Sequence, residues 1–179
     1  MTAFNVAGLL HEPPGAVREH HLRDHYVNLG PDIELAGPMD IDVRLQRTNR
    51  GVLVRGTARA ALRRTCARCL DPYVDEVTVP IDEEFLPSLD PESGAPLAEP
   101  AGDEQVQAID PHHEIVLDQV LRDELLLTEP MHPLCRPDCP GLCAECGQSL
   151  ASGPHDHGPA EIDPRLAGLA RLLDEPRDQ

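Results

Sequence analysis

Residues 39–46 alternate without a break, with Met39, Ile41, Val43 and Leu45 apolar and Asp40, Asp42, Arg44 and Gln46 polar. A period of two over eight residues predicts a strand with one face buried and the other in water. Arg47-Thr48-Asn49-Arg50 reads as a turn before Gly51. A second alternating run follows in Val52, Val54, Gly56, Ala58, Ala60 and Leu62, and a third in Tyr73, Val77, Val79, Ile81 and Phe85. Between these two runs stands Cys66-Ala67-Arg68-Cys69.

The three runs predict an antiparallel meander over 39–86. A first turn about Thr48 and Asn49 sets Leu45 opposite Val52 and Val43 opposite Val54. A second between Ala67 and Arg68 sets Leu62 opposite Tyr73, Ala58 opposite Val77 and Val54 opposite Ile81. Both registers place apolar against apolar, as one shared buried face requires. They also set Arg55 opposite Asp42 and Arg59 opposite Glu76, and they leave Asp75 on the core face as a misfit.

Residues 87–108 are rich in Pro, Gly, Ala and acid and have no period, which predicts a linker. Residues 114–128 carry Val116, Val120, Leu121 and Leu125 at helical spacing and stop before Pro130. A last helix is predicted over 163–173, with Asp163 as its cap and Pro164 in its first turn. Residues 131–158 have no regular pattern and no apolar core of their own. The chain thus reads as a single α+β domain: a β-meander, flanking helices and a zinc-ribbon-like C-terminal segment.

Charge changes this picture in one respect. The formal net charge is −17 over 179 residues, which opposes unspecific adhesion to nucleic acid. Yet residues 41–70 hold eight arginines against Asp42 alone, while residues 71–130 hold seventeen acids against Arg122 alone. The N-terminus lacks the basic start and long apolar run of a signal peptide, and no apolar run approaches a membrane span. The expected compartment is the reducing cytoplasm, where clustered thiols favour metal over disulfides.

The candidate chemistry lies in the cysteines. Cys66 and Cys69 form a C-x2-C at a predicted hairpin tip. Cys135, Cys139, Cys143 and Cys146 follow, then His155 and His157. Two thiolates at C-x2-C spacing reach one zinc ion from a tight turn, and Gly147 lets the chain curl so that amides face the sulfurs. Six cysteines and two histidines make eight ligands, enough for two four-ligand sites. The favoured division is Cys66, Cys69, Cys135 and Cys139 for one ion and Cys143, Cys146, His155 and His157 for the other. The rival is one ion held by Cys66, Cys69, Cys143 and Cys146. His132 could replace a cysteine, and His20, His21, His112 and His113 read as surface residues.

The opening FNVAGLLHEPPG, the knuckle RRTCARCLDPY, the stretch VLRDELLLTEP and the block PLCRPDCPGLCAECGQSL resemble the YceD-like family, the large ribosomal RNA subunit accumulation proteins. The likeness extends to the tail DPRLAGLARLL. Family members often carry Cys-x-Cys near the end, where this chain has His155-Asp156-His157. The resemblance implies a role in making or accumulating large-subunit (23S) ribosomal RNA, with no catalytic activity.

Two kinds of partner fit the charge pattern. Arg44, Arg47, Arg50, Arg63, Arg64 and Arg68 have no cross-strand acid in the expected registers and are candidates for RNA phosphate contact. Alternatively, the acidic stretch could hold a basic ribosomal protein in the manner of a chaperone. A metalloenzyme is disfavoured because cysteine-rich zinc sites are closed, and no nucleophile elbow, phosphate loop or H-E-x-x-H occurs. A C-x2-C redox protein is disfavoured because no βαβ pattern surrounds either pair.

Overall fold

The computed structural model describes residues 1–90, 93–97, 107–157 and 165. Seven strands and two helices follow one another: β1 (Ala3–Asn5), α1 (Ala7–Leu10), β2 (Val17–His25), β3 (Met39–Arg47), β4 (Val52–Thr65), β5 (Pro72–Pro87), β6 (Gln107–Ile109), β7 (Glu114–Val116) and α2 (Asp118–Leu127). Strands β2-β3-β4-β5-β6 form one sheet, and β1 pairs with β7 in a second, two-stranded one. The neighbours from β2 to β5 are antiparallel, whereas β6 lies parallel to β5. The fold is α+β, as the sequence predicts.

The alternating pattern sorts the faces as expected. Met39, Ile41, Val43 and Leu45 of β3, Val52, Val54, Ala58, Ala60 and Leu62 of β4, and Val79, Ile81 and Phe85 of β5 are all buried. Val120, Leu121 and Leu125 of α2 join them in one core. Full burial of each Leu, Ile, Val or Phe side chain stabilises by roughly 1.5–3 kcal/mol.

The registers differ from those expected by two residues in each hairpin. Leu45 faces Val54 and Val43 faces Gly56. Leu62 faces Asp75, Ala58 faces Val79 and Val54 faces Glu83. A two-residue slip keeps every side chain on its face, so alternation alone cannot detect it. Turn chemistry makes the choice. The Thr48 amide donates to the Gly51 carbonyl, while Thr48 Oγ1 accepts from the amides of Arg50 and Gly51. Arg47 therefore stays in β3, and the turn runs from Thr48 to Gly51.

Five elements escape the alternation test. β2 has Arg18, His20 and Leu22 in line with Leu45, Val43 and Ile41, too polar a face to read as a strand. The others are too short for a period: α1, with four residues, and β1, β6 and β7, with three each. The expected helix over 114–128 begins at Asp118, because Glu114–Val116 pairs with Ala3–Asn5. Asp118 then accepts from the amide of buried Thr2 at 2.6 Å. The expected linker over 87–108 is shorter too, since Pro87 ends β5 and Gln107 begins β6. Leu89 and Pro96 form a further bridge. The helix expected over 163–173 lies outside the described residues, apart from Arg165.

The hairpin of β4 (14 residues) and β5 (16 residues) outruns its sheet. β3 accompanies β4 only as far as Arg59. Beyond that point the segment before β3 takes over: Ala36 donates to Ala61, Arg63 donates to Glu34, and Leu35 bridges Leu62. The distal end of the hairpin thus carries Cys66 and Cys69 away from the main core to a second, smaller one. There Cys66, Cys69 and Cys139 are buried against Tyr73 and Leu134.

Candidate metal centres

The chain makes the same knuckle twice. The Cys66 amide donates to the Asp71 carbonyl at 3.0 Å, and the Leu70 amide returns to Cys66 at 2.9 Å. The Cys143 amide donates to the Gln148 carbonyl at 2.8 Å, and the Gly147 amide returns to Cys143 at 2.9 Å. In each case the residue after the second cysteine is left-handed, Leu70 at φ 60° and Gly147 at φ 73°. This curl aims amides at the first sulfur. The amides of Cys69 and Cys135 draw the Cys66 thiol down to about 6. The Cys146 amide, helped by the His155 side chain, does the same for Cys143, also to about 6.

The structure gathers the eight candidate ligands into two quartets. Cys66, Cys69, Cys135 and Cys139 have their sulfurs within 4.8 Å of one another, as do the ligand atoms of Cys143, Cys146, His155 and His157. This is the favoured division. The rival pairing of Cys66 and Cys69 with Cys143 and Cys146 is not what the fold assembles, because Cys135 and Cys139 stand at the hairpin tip. His132 is exposed and joins neither quartet.

The spacing suits a metal. Tetrahedral zinc with Zn–S of about 2.3 Å places two thiolates about 3.8 Å apart, and a thiolate and an imidazole about 3.5 Å apart. Cys66 and Cys139 are 3.8 Å apart, as are Cys69 and Cys135. Cys146 Sγ lies 3.5 Å from His155 Nε2, and Cys143 Sγ lies 3.1 Å from His157 Nε2. Disulfides need sulfurs at about 2.05 Å, and all six cysteines are free. The His157 Nδ1 lies 3.3 Å from Glu145 Oε2, the carboxylate–histidine arrangement that orients a metal-binding imidazole. The two clusters could hold metal ions, and their donor sets are those of zinc.

Protonation points the same way. At Cys69 the Asp71 amide favours the thiolate, but burial and the neighbouring Cys66 and Cys139 thiols outweigh it and push the group up to about 12. Burial likewise raises the Cys135 thiol. Four thiolates in so small a volume need a cation among them, and a divalent ion supplies the charge that deprotonates them.

The hairpin tip is also fastened without metal. The Ala67 amide donates to the Pro133 carbonyl at 2.7 Å, and Arg68 Nη1 donates to the Cys139 carbonyl at 3.0 Å. Arg68 is therefore part of the joint between the tip and the later cysteines. Arg47 has a comparable part at the opposite end, donating to the carbonyls of Leu10, Thr48 and Gly51.

The remaining arginines divide clearly. Arg64, expected to lack an acid, has a side chain only 8% exposed, with Nε 2.9 Å from Asp75 Oδ2. The slip in register causes this: Asp75 faces Leu62 and stands beside Arg64 on the inner face, so the misfit acid has its counter-ion. Arg64 Nη2 also donates to Thr128 Oγ1, reaching the end of α2. Arg63 pairs with Glu34 at 3.6 Å, Arg55 with Asp82 at 3.0 Å and Arg59 with Asp42 at 3.6 Å. Asp42 also accepts from Arg23 and His21, and these bonds hold its carboxyl down to about 2. Among the described residues, Arg44 and Arg50 are exposed and have no ion-pair partner. No helix in the described residues is long and apolar enough to cross a membrane.

Comparison with known proteins adds a family to this geometry. Uncharacterized proteins of Mycobacterium bovis and Mycobacterium tuberculosis are each 38% identical over 164 residues, which is 89% of this chain and 76% of theirs. An uncharacterized protein of Mycobacterium leprae is 34% identical over 142 residues, 79% of this chain and 62% of its own. No solved structure matches. The family described as large ribosomal RNA subunit accumulation protein YceD matches residues 54–173, from the start of β4 through both cysteine quartets. The chain belongs to the YceD family.

Proposed function

We propose that this protein supports the synthesis or accumulation of large-subunit ribosomal RNA as a zinc-stabilised binding module without catalytic activity. The observation that carries the reading is the family match over 54–173, a stretch that includes all eight candidate ligands. Closed, cysteine-rich quartets leave no coordination position for a substrate, which supports a structural role for the metal. The expected partner is large-subunit RNA or an assembly particle containing it, reached through the exposed arginines of the sheet's outer face.

The test is depletion in a bacterium that carries the gene. The ratio of 23S to 16S RNA should fall, and wild-type protein should restore it. A ratio that stays unchanged on depletion would sink the reading. Ultraviolet crosslinking followed by purification then separates the partners. Recovery of a basic ribosomal protein through residues 71–130, with no RNA, would favour the acidic chaperone-like alternative.

A further inference from the structure

The outer face of the sheet holds an arrangement that the expected register hid. Arg44 of β3 stands directly opposite Arg55 of β4. On one face of an antiparallel pair, opposed residues have Cβ atoms about 5 Å apart, and like charges there are destabilising. The flanking acids do not remove the conflict. Glu19 faces Arg44 from β2 but makes no ion pair with it among the described residues. Asp82 takes only the Nε of Arg55, in a pair whose two side chains are each 61% exposed. Glu84, opposite Leu53, accepts from the Thr48 hydroxyl at 2.8 Å.

Arg44 and Arg55 share a hollow of about 70 Å³ with Gln46 and Leu53. The hollow therefore has two guanidiniums, one amide and an apolar side. Guanidinium forks match the oxygens of phosphate, and an anion between two like charges turns their repulsion into attraction.

We propose that Arg44, Arg55 and Gln46 form a phosphate-binding site on the outer face of the sheet. It deepens the RNA-binding reading above and rests on that reading for the source of the phosphate, a nucleic-acid backbone rather than free phosphate. Both Nη groups of Arg55 remain available while Asp82 holds its Nε, so the site needs no rearrangement of that ion pair.

The test uses the full-length, zinc-loaded protein and two probes, inorganic phosphate and a short A-form RNA duplex, each against chloride at matched ionic strength. The readouts are the ¹⁵N Nε resonances of Arg44 and Arg55 and the dissociation constant. Phosphate is expected to shift both resonances, and Arg44→Gln and Arg55→Gln should each weaken its binding about tenfold. RNA should move the same two resonances, and either substitution should lower the slope of log affinity against log salt by about 1. Unchanged zinc content and thermal midpoint in the variants would show that the fold is intact.

If RNA binds but neither resonance responds to either probe, the site is wrong while RNA binding stands. If phosphate binds there and RNA does not, the site stands as one for free phosphate and the RNA reading fails. If phosphate moves neither resonance and RNA does not bind, the site is overturned.

Discussion

The two quartets are built on one knuckle but differ in what they join. In the first, the paired sulfurs are 66 and 73 residues apart in sequence, and three of the four cysteines are buried. In the second, the partners are only 14 and 9 residues apart, and none is buried. The first quartet fastens the end of a long hairpin to a segment with no apolar core. The second closes a local loop on itself. The same C-x2-C turn is thus a long-range clasp in one place and a local clip in the other, and the difference arises from where the other two ligands lie.

The sharpest way to break this comparison is to remove one ligand from each quartet. Wild-type protein should carry two zinc ions by elemental mass spectrometry, and Cys66→Ser and Cys143→Ser should each carry one. Cys66→Ser should cost about 4 kcal/mol or more in urea unfolding, because only the Ala67 and Arg68 hydrogen bonds would then tie the tip to residues 133–139. Cys143→Ser should cost about 1 kcal/mol in the same measurement, since the sheet and α2 do not depend on its loop. Equal losses would mean that both quartets support the core.

A smaller effect sharpens the contrast within the second quartet. Glu145 reaches His157 Nδ1, and the corresponding position in the first knuckle is Arg68, which grips backbone carbonyls instead. Glu145→Gln should weaken zinc at the second quartet roughly 10- to 100-fold, measured by competition with a chromophoric chelator, and leave the first unchanged. An equal effect on both ions would show that the quartets are coupled.

The smallest effects test whether the two knuckles are the same turn. Gly147 has open space where a Cβ would go, so Gly147→Ala should cost about 1 kcal/mol through its left-handed backbone alone. Leu70 holds the same conformation with its side chain exposed. Leu70→Gly relieves a similar strain but loosens the unfolded chain, so its net effect should lie within about 0.5 kcal/mol. Thermal unfolding of both variants reads the two values. A large loss in Leu70→Gly would show that Leu70 supports the tip in a way its exposure hides.

How much of this could be read from the chain depended on the range of each signal. Alternation from Met39 to Phe85 revealed the faces of three strands, because burial on one face imposes a period of two. It could not distinguish two registers that preserve those faces, so Arg64 passed for an unpaired surface charge and Arg55 for the partner of Asp42. The quartets were legible because thiols and imidazoles at such spacing have few other uses in a reducing environment. β2 was not, since His20 packs on Phe4 and Arg18 pairs with Glu12, contacts that leave no apolar trace in the sequence. The parallel pairing of β6 with β5 depends on residues brought together from about 20 positions apart, which no local pattern encodes.

The length of the hairpin also has a meaning in time. A ribosome delivers Cys66 and Cys69 first and must add 66 residues after Cys69 before Cys135 exists. At about 5–20 residues per second, that interval is roughly 3–13 seconds. During it the nascent chain holds only two of the four ligands of the first candidate site. The second quartet, spanning Cys143 to His157, is translated within roughly 1–3 seconds by the same rate. The first quartet is complete at Cys139, before any ligand of the second is made, yet its earliest thiols wait longest: Cys66 and Cys69 stand without their partners until 70 more residues have followed Cys69.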